Sequence, residues 1–212
     1  MTTPTSPVGR PRDPDLDRAI LEAARQHLAA HGYEAMSVLA VAEAAGTTRQ
    51  ALYRRFPSKA DLATAAIAGM SRADERPDTG DPYADLVTEL RAFHQGVTRP
   101  NGLGLVGAML QDATEPELRS LFRERIVQPR RTRFESILRR GVATGQLAAD
   151  ADIDLAVAAC SGTLYALALA GRPVPDWPAR TATHVWRACG GTPPPAADAL
   201  RAPRRRRRGA TR

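Results

Sequence analysis

Lysine is almost missing from this chain: Lys59 is the only one among 30 cationic residues. Cysteine is scarce too. Cys160 and Cys189 stand in separate segments, form no C-x-x-C pair and join no Cys/His quartet at zinc-finger spacing. That excludes structural zinc and leaves two reduced, buried thiols as the expectation, with no metal and no cofactor. None of the four histidines (His27, His31, His94, His184) sits in a nucleophile pattern, and G-x-S-x-G, P-loop and H-E-x-x-H motifs are absent. The residues therefore argue against an enzyme. The N-terminus has no apolar stretch of signal-peptide type, so a cytoplasmic location is expected. The longest uncharged run, residues 155–171, is diluted by Ala, Ser, Thr, Gly and Cys. At the bottom of the roughly 17–25-residue range for a membrane span, it reads as a buried helix, with no membrane partner.

What is present is helix-forming sequence and a basic excess with an uneven distribution. The net charge of +7 comes almost wholly from residues 201–212, which hold seven arginines and no acid, while residues 1–62 balance to +1 and 63–200 to −1. The high pI thus describes a tail, and alone says little about the folded part. Residues 1–12 read as a flexible basic arm. Asp13 then caps a helix, with Pro14 in the first turn, the stripe Leu16, Ile20, Ala23, Ala24 and Leu28, and Gly32 as terminator. Ser37 caps a short helix over 38–45, Gly46 breaks it, and Thr48 caps another from Arg49 that Pro57 stops. Ser58 and Asp61 open a longer helix towards Ser71.

Further helices are expected near 83–97 and 103–112. Thr114 and Glu117 open a long one to about residue 144, kinked at Pro129 because the apolar period resumes beyond it. Asp152 caps the apolar helix 153–170, and a last helix covers about 179–189. No period-2 strand and no internal repeat occur, so the fold is all-α, with about nine helices. The boundaries read as a domain over 13–62, a larger helical domain over 63–191, and a disordered Pro/Arg-rich tail over 192–212.

The stretch "AGTTRQALYRRFPSKADL", 45–62, carries the chemistry. Two short helices around a glycine turn are a helix-turn-helix signature, whose second helix enters the DNA major groove. On the helical wheel Leu52 and Phe56 face inward. Arg49 with Tyr53 and Gln50 with Arg54 face outward, and Arg and Gln can bond guanine and adenine in bidentate fashion. The alternative is a solvated basic face on an ordinary core helix.

"GYEAMSVLAVAEAAGTTRQALYRRFPSKADL", 32–62, resembles the DNA-binding domain of TetR/AcrR-family transcriptional regulators. The match rests on Gly32-Tyr33, Ser37, Val41-Ala42, Ala45-Gly46, Leu52-Tyr53, Phe56 and Lys59. Looser support comes from the G-x-x-x-G-x-L stretch 141–147, and departures fall at Leu39, Ala40, Ala44 and Thr47. The resemblance implies an N-terminal three-helix DNA-binding domain followed by a helical ligand-binding and dimerisation domain. It makes Ser37, Tyr53 and Lys59 phosphate contacts, Thr48, Arg49, Gln50 and Arg54 the residues that meet the bases, and Thr47 a further DNA-binding residue. Arg10 and Arg12, on an extended arm, are candidates for the minor groove.

Double-stranded operator DNA, a small-molecule inducer and a second copy of the chain are then the expected partners. The apolar helix 153–170 and the last helix are the expected dimer surface, through Ala156, Cys160, Leu164, Leu167, Val185 and Trp186. A central core helix in a monomer is the alternative reading. Candidate pocket residues are Met70, Phe93, Val97, Leu105 and Met109, with Phe122, Ile126 and Tyr165 beyond them. His94, Gln111 and Arg125 are the polar handles. Few aromatics and several Met and Leu suit a lipophilic ligand. The function expected is a ligand-responsive regulator, by family default a repressor. A ligand-independent architectural DNA binder using the arm and the Arg204–Arg208 run is the competing reading.

Overall fold

Most helices in this computed structural model, which describes residues 13–72, 78–100, 102–103 and 116–195, begin at a side-chain cap. Helix α1, Pro14–His31, starts on Asp13, whose carboxylate accepts the backbone N–H groups of Asp15 and Leu16. It ends at Gly32, at φ 75°, a left-handed conformation that costs glycine little. Helix α2, Val38–Ala44, is capped by Ser37, and α3, Arg49–Tyr53, by Thr48. Helix α4, Lys59–Arg72, opens where Ser58 Oγ accepts the Asp61 N–H at 3.0 Å. Then follow α5, Pro82–Val97, capped by Asp81, and α6, Pro116–Phe122. The last three are α7, Gln128–Ala143; α8, Ile153–Leu169, capped by Asp152; and α9, Trp177–Ala188. No strand occurs among the described residues.

Two elements differ from the sequence expectation. Regular α3 is five residues long rather than eight, because the ladder tightens at its end: Arg55 and Phe56 both donate to the Leu52 carbonyl. Such tightening is common at helix C-termini. The long helix expected over 114–144 is not a kinked α-helix either. Its register widens into a π turn, Arg123–Val127, just before Pro129. A proline lacks the N–H of an α ladder and its ring collides with the carbonyl four residues back, so one wider turn accommodates it. The helix expected at 103–112, the Thr114 cap, the arm 1–12 and the tail from 196 onward lie outside the described residues, apart from Leu103.

The chain divides into two units. One is Met1–Ala73 with Leu103–Ile126, the other Asp74–Gly102 with Val127–Arg212. In the first, α1 packs on α2 and α4, and α6 packs on α4. Ile20, Val41, Leu52 and Leu62 are buried there together with Leu118 of α6. The contact boundary therefore does not follow the 62/63 division, since all of described α4 and α6 belong with the N-terminal helices. Five residues cannot hold a helix alone. Leu52, fully buried, contributes about 1.5–3 kcal/mol and anchors α3. Arg55 adds a 2.6 Å ion pair to Asp17 of α1.

In the second unit α5 packs on α7 and α9, and α8 packs on α7 and α9. Phe93, Phe134, Ile137, Leu138 and Trp186 fill the core. A buried carboxylate, Asp85, accepts from Arg140 Nη2 and from the Thr79 hydroxyl, each at 2.7 Å, so its charge is paired. Gly141 is required by packing: a Cβ there would lie 2.9 Å from Leu147 and 3.0 Å from Trp186. Gly145 supplies the positive φ, 70°, that turns the chain back to place Leu147.

The α8 face differs from expectation. Ala156, Cys160 and Leu164 are buried in the chain's own core, as are Val185 and Trp186 of α9, and Leu167 is half-buried against it. Five of these six side chains pack within the chain's own core, while Leu167 keeps part of its surface exposed. The outward side is a different stripe at helical spacing, Leu155, Ala158, Gly162, Ala166 and Leu169, with Leu155 66% and Leu169 88% exposed. No helix among the described residues is long and apolar enough to cross a membrane.

Candidate nucleic-acid interface

The turn between α2 and α3 is set by Gly46 at φ 66°. Its N–H bonds the Glu43 carbonyl at 3.0 Å and the Thr47 N–H bonds the Ala42 carbonyl at 2.9 Å, closing α2 and redirecting the chain. Thr48 Oγ1 then accepts from the Ala51 N–H at 3.1 Å, as Ser37 Oγ accepts from the Ala40 N–H at 3.3 Å. Each hydroxyl uses a lone pair as a cap and keeps its own hydrogen for an outside acceptor such as a phosphate oxygen. Three successive helices, α2, α3 and α4, thus open on hydroxyl caps: Ser37, Thr48 and Ser58.

With Leu52 turned into the core, the other side of α3 is fixed. Arg49, Gln50 and Arg54 are exposed, and neither Gln50 nor Arg54 has a side-chain partner among the described residues. The Arg49 guanidinium lies 5.3 Å from the Tyr53 ring centre, a cation–π contact that restrains a long side chain. Thr47 and Tyr53 are half-buried. Lys59, the first residue of α4, donates from Nζ to the Glu34 carbonyl at 2.9 Å and sits 4.7 Å from the Tyr33 ring centre. Its ammonium is held in place with two N–H donors still to give. The structure therefore brings Thr47, Thr48, Arg49, Gln50, Tyr53 and Arg54 onto one short element, with Ser37 and Lys59 at the starts of its neighbours. Arg10 and Arg12 lie outside the described residues.

The expected ligand-pocket residues separate. Phe93, His94, Val97 and Tyr165 belong to the second unit, and Phe122, Arg125 and Ile126 to the first. Leu105, Met109, Gln111 and the Met70 side chain lie outside the described residues. Arg125 is not a spare polar handle. It pairs with Asp61 Oδ1 at 2.7 Å and donates to Thr64 Oγ1 at 3.2 Å, tying the π turn to α4. The Ser58 hydroxyl, donating to Glu117 Oε1 at 2.7 Å, makes a second cross-link from α4 to α6. Neither link had a sequence signal, because each joins residues about sixty positions apart. A cavity of about 300 Å³ lined by Tyr83, Gln146, Trp186 and Thr192 contains none of the expected ligand-pocket residues.

Among the described residues no three His, Cys, Asp or Glu side chains gather as a metal site. Burial pushes the Cys160 thiol up to about 12 and also raises Cys189, so both stay protonated at neutral pH.

Comparison with known proteins agrees with this geometry. Residues 20–66 match the family model for bacterial regulatory proteins of the tetR family, and residues 76–185 match that for the tetracyclin repressor-like C-terminal domain. The uncharacterised HTH-type transcriptional regulator YdeS of Bacillus subtilis is 30% identical over 172 residues, 79% of this chain and 86% of that protein. A DNA-binding transcriptional repressor, TetR, of Mycobacteroides abscessus is 32% identical over 142 residues, 65% of this chain and 73% of that one. Among solved structures, the TetR family transcription regulator SCO0332 superposes with a TM-score of 0.66 at 29% identity, covering 82% of this chain and 98% of that one. These relatives are transcriptional regulators rather than enzymes. With its helix-turn-helix and its helical C-terminal region both matched, the chain belongs to the TetR family of DNA-binding transcriptional regulators.

Proposed function

We propose that the protein is a ligand-responsive repressor that binds a palindromic operator as a homodimer in the cytoplasm and is released by a small lipophilic molecule. The observation that carries this reading is α3, inward on Leu52 and outward on Arg49, Gln50 and Arg54. One such helix reads a few base pairs. A two-fold axis places two of them about 34–36 Å apart in successive major grooves. The outward α8 stripe is the surface we assign to the second copy, because Ala158, Gly162 and Ala166 let helices approach closely between Leu155 and Leu169. The repressor named among the relatives supports the sign of regulation. Release follows as a population shift, the ligand favouring a state whose two α3 helices no longer match the operator spacing.

Selection of bound duplexes from a random pool tests the DNA part. An inverted repeat with half-site centres about 10 base pairs, or a multiple of that, apart is expected. Enrichment of single half-sites without an inverted partner would remove the dimeric reading.

A further inference from the structure

Leu52 is the one buried side chain on α3, and Tyr53 and Phe56 pack against the same core only in part. A single apolar knob sets how deep so short a helix sits on α2, but leaves rotation about the knob open. Such a rotation would carry Arg49, Gln50 and Arg54 sideways. A binding constellation works only when its groups are held to about 0.5 Å and 10–20°. A second fixed point, away from Leu52, removes that freedom.

Arg55, the residue after the α3 cap Arg54, supplies it. Its Nε donates to Asp17 Oδ1 at 2.6 Å and its Nη1 donates to the Ala51 carbonyl at 3.3 Å. The Arg55 backbone N–H goes to Leu52, so the guanidinium takes up the carbonyl that an α ladder would have served. One side chain thus closes the end of α3 and ties it to α1. Asp17 stands in the first turn of α1, which is itself packed on α2 and α4. The two adjacent arginines therefore differ: Arg54 is exposed beside Gln50, and Arg55 is turned back into the domain.

Most ion pairs at a protein surface contribute little, because water and salt screen them. Arg18–Asp15, one turn apart with side chains 75% and 81% exposed, is of that kind. Arg55 and Asp17 are 38 positions apart in the chain, and their side chains are only 17% and 31% exposed. The same contact argues against Arg55 as a phosphate ligand. A carboxylate at 2.6 Å offsets the charge that a phosphate would seek and repels the phosphate itself.

We propose that Arg55 and Asp17 are positioning residues for DNA recognition. The pair sets the rotation of α3 so that Arg49 and Gln50 meet base edges, and neither of its side chains touches the duplex. This rests on α3 being the reading helix and adds what aims it.

The test uses the full-length protein, the operator selected from the random pool, and a shuffled duplex of the same composition. Phosphate contacts hold both duplexes, whereas base contacts separate them. Arg55→Gln and Asp17→Asn should each cut the preference for operator over shuffled duplex by about tenfold, the scale of one mismatched base pair. Binding to the shuffled duplex should stay within about threefold, with its salt slope unchanged. The double variant should lose no more than either single one, since either change already breaks the tie. Asp17→Asn carries the most weight, because the charge it removes is negative. An acid that positions nothing merely repels DNA, so its loss would strengthen binding to both duplexes and leave the preference alone. That result overturns the proposal. So does an Arg55→Gln protein that weakens both duplexes equally and lowers the salt slope by about one, the mark of a direct phosphate contact. A lower thermal midpoint with the preference intact makes the pair a stability feature and also overturns it. A wild type with no preference for the selected operator removes the reading role of α3 and this proposal together. A wild-type preference that survives both variants removes this proposal alone.

Discussion

Gln50 and Lys59 stand on the same surface and should fail in different ways. Gln50 is an exposed amide, which the proposed reading sets against a base edge, so Gln50→Ala should lose about 1–3 kcal/mol on the selected operator and relax preference at one base position. Unchanged preference across single-base variants of that operator would take Gln50 out of the reading set. Lys59, fixed by the Glu34 carbonyl, is in the proposed reading a point charge for a phosphate. Lys59→Ala should weaken binding to every duplex and lower the slope of log affinity against log salt by about one. The buried thiols give a pH signature. An unfolded cysteine ionises near 9, whereas folded Cys160 holds its proton to about 12. Between these values the unfolded chain releases a proton that the folded chain retains, so stability should fall as pH rises from 9 to 12. Urea midpoints of wild type and Cys160→Ala, compared at pH 8 and 10.5, measure it, with the larger fall expected in wild type.

Helix boundaries were legible where chemistry is local. Asp13, Ser37, Thr48, Ser58 and Asp152 all cap as their spacing predicts, because a cap is decided within three residues. The end of α3 and the π turn were not legible, since hydrogen-bond register near a helix end or before Pro129 depends on what the segment packs against. The same limit explains the α8 face. That helix is apolar nearly all round, so its sequence cannot say which side turns inward. Only the buried contacts of Ala156, Cys160 and Leu164 decide. The motif 141–147 was visible as a pattern, and its reason is steric. Gly141→Ala forces a methyl against Leu147 and Trp186. It should cost about 1–3 kcal/mol, or roughly 2–12 °C in the thermal midpoint at this chain length. A melt of the purified variant checks it, and an unchanged midpoint would mean the two side chains yield freely.

At the scale of the whole molecule, assembly should depend on α8 alone among the features described. Gly162→Leu replaces a helix-weakening residue with a helix former on the outward stripe, so the subunit itself should stay folded. The bulk should prevent a second helix from approaching. Sedimentation should then give the mass of one chain where the wild type gives two, with operator affinity reduced by at least tenfold. A dimeric Gly162→Leu protein would shift the interface elsewhere. A different consequence follows from the anchored ammonium at the start of α4. With one side-chain amine in the polypeptide, acylating reagents have a single internal address, and the mass increment at that address can be followed alone. Bound duplex should shield it. Each chain thereby carries a one-site footprinting tag of its own, able to report occupancy without any foreign label.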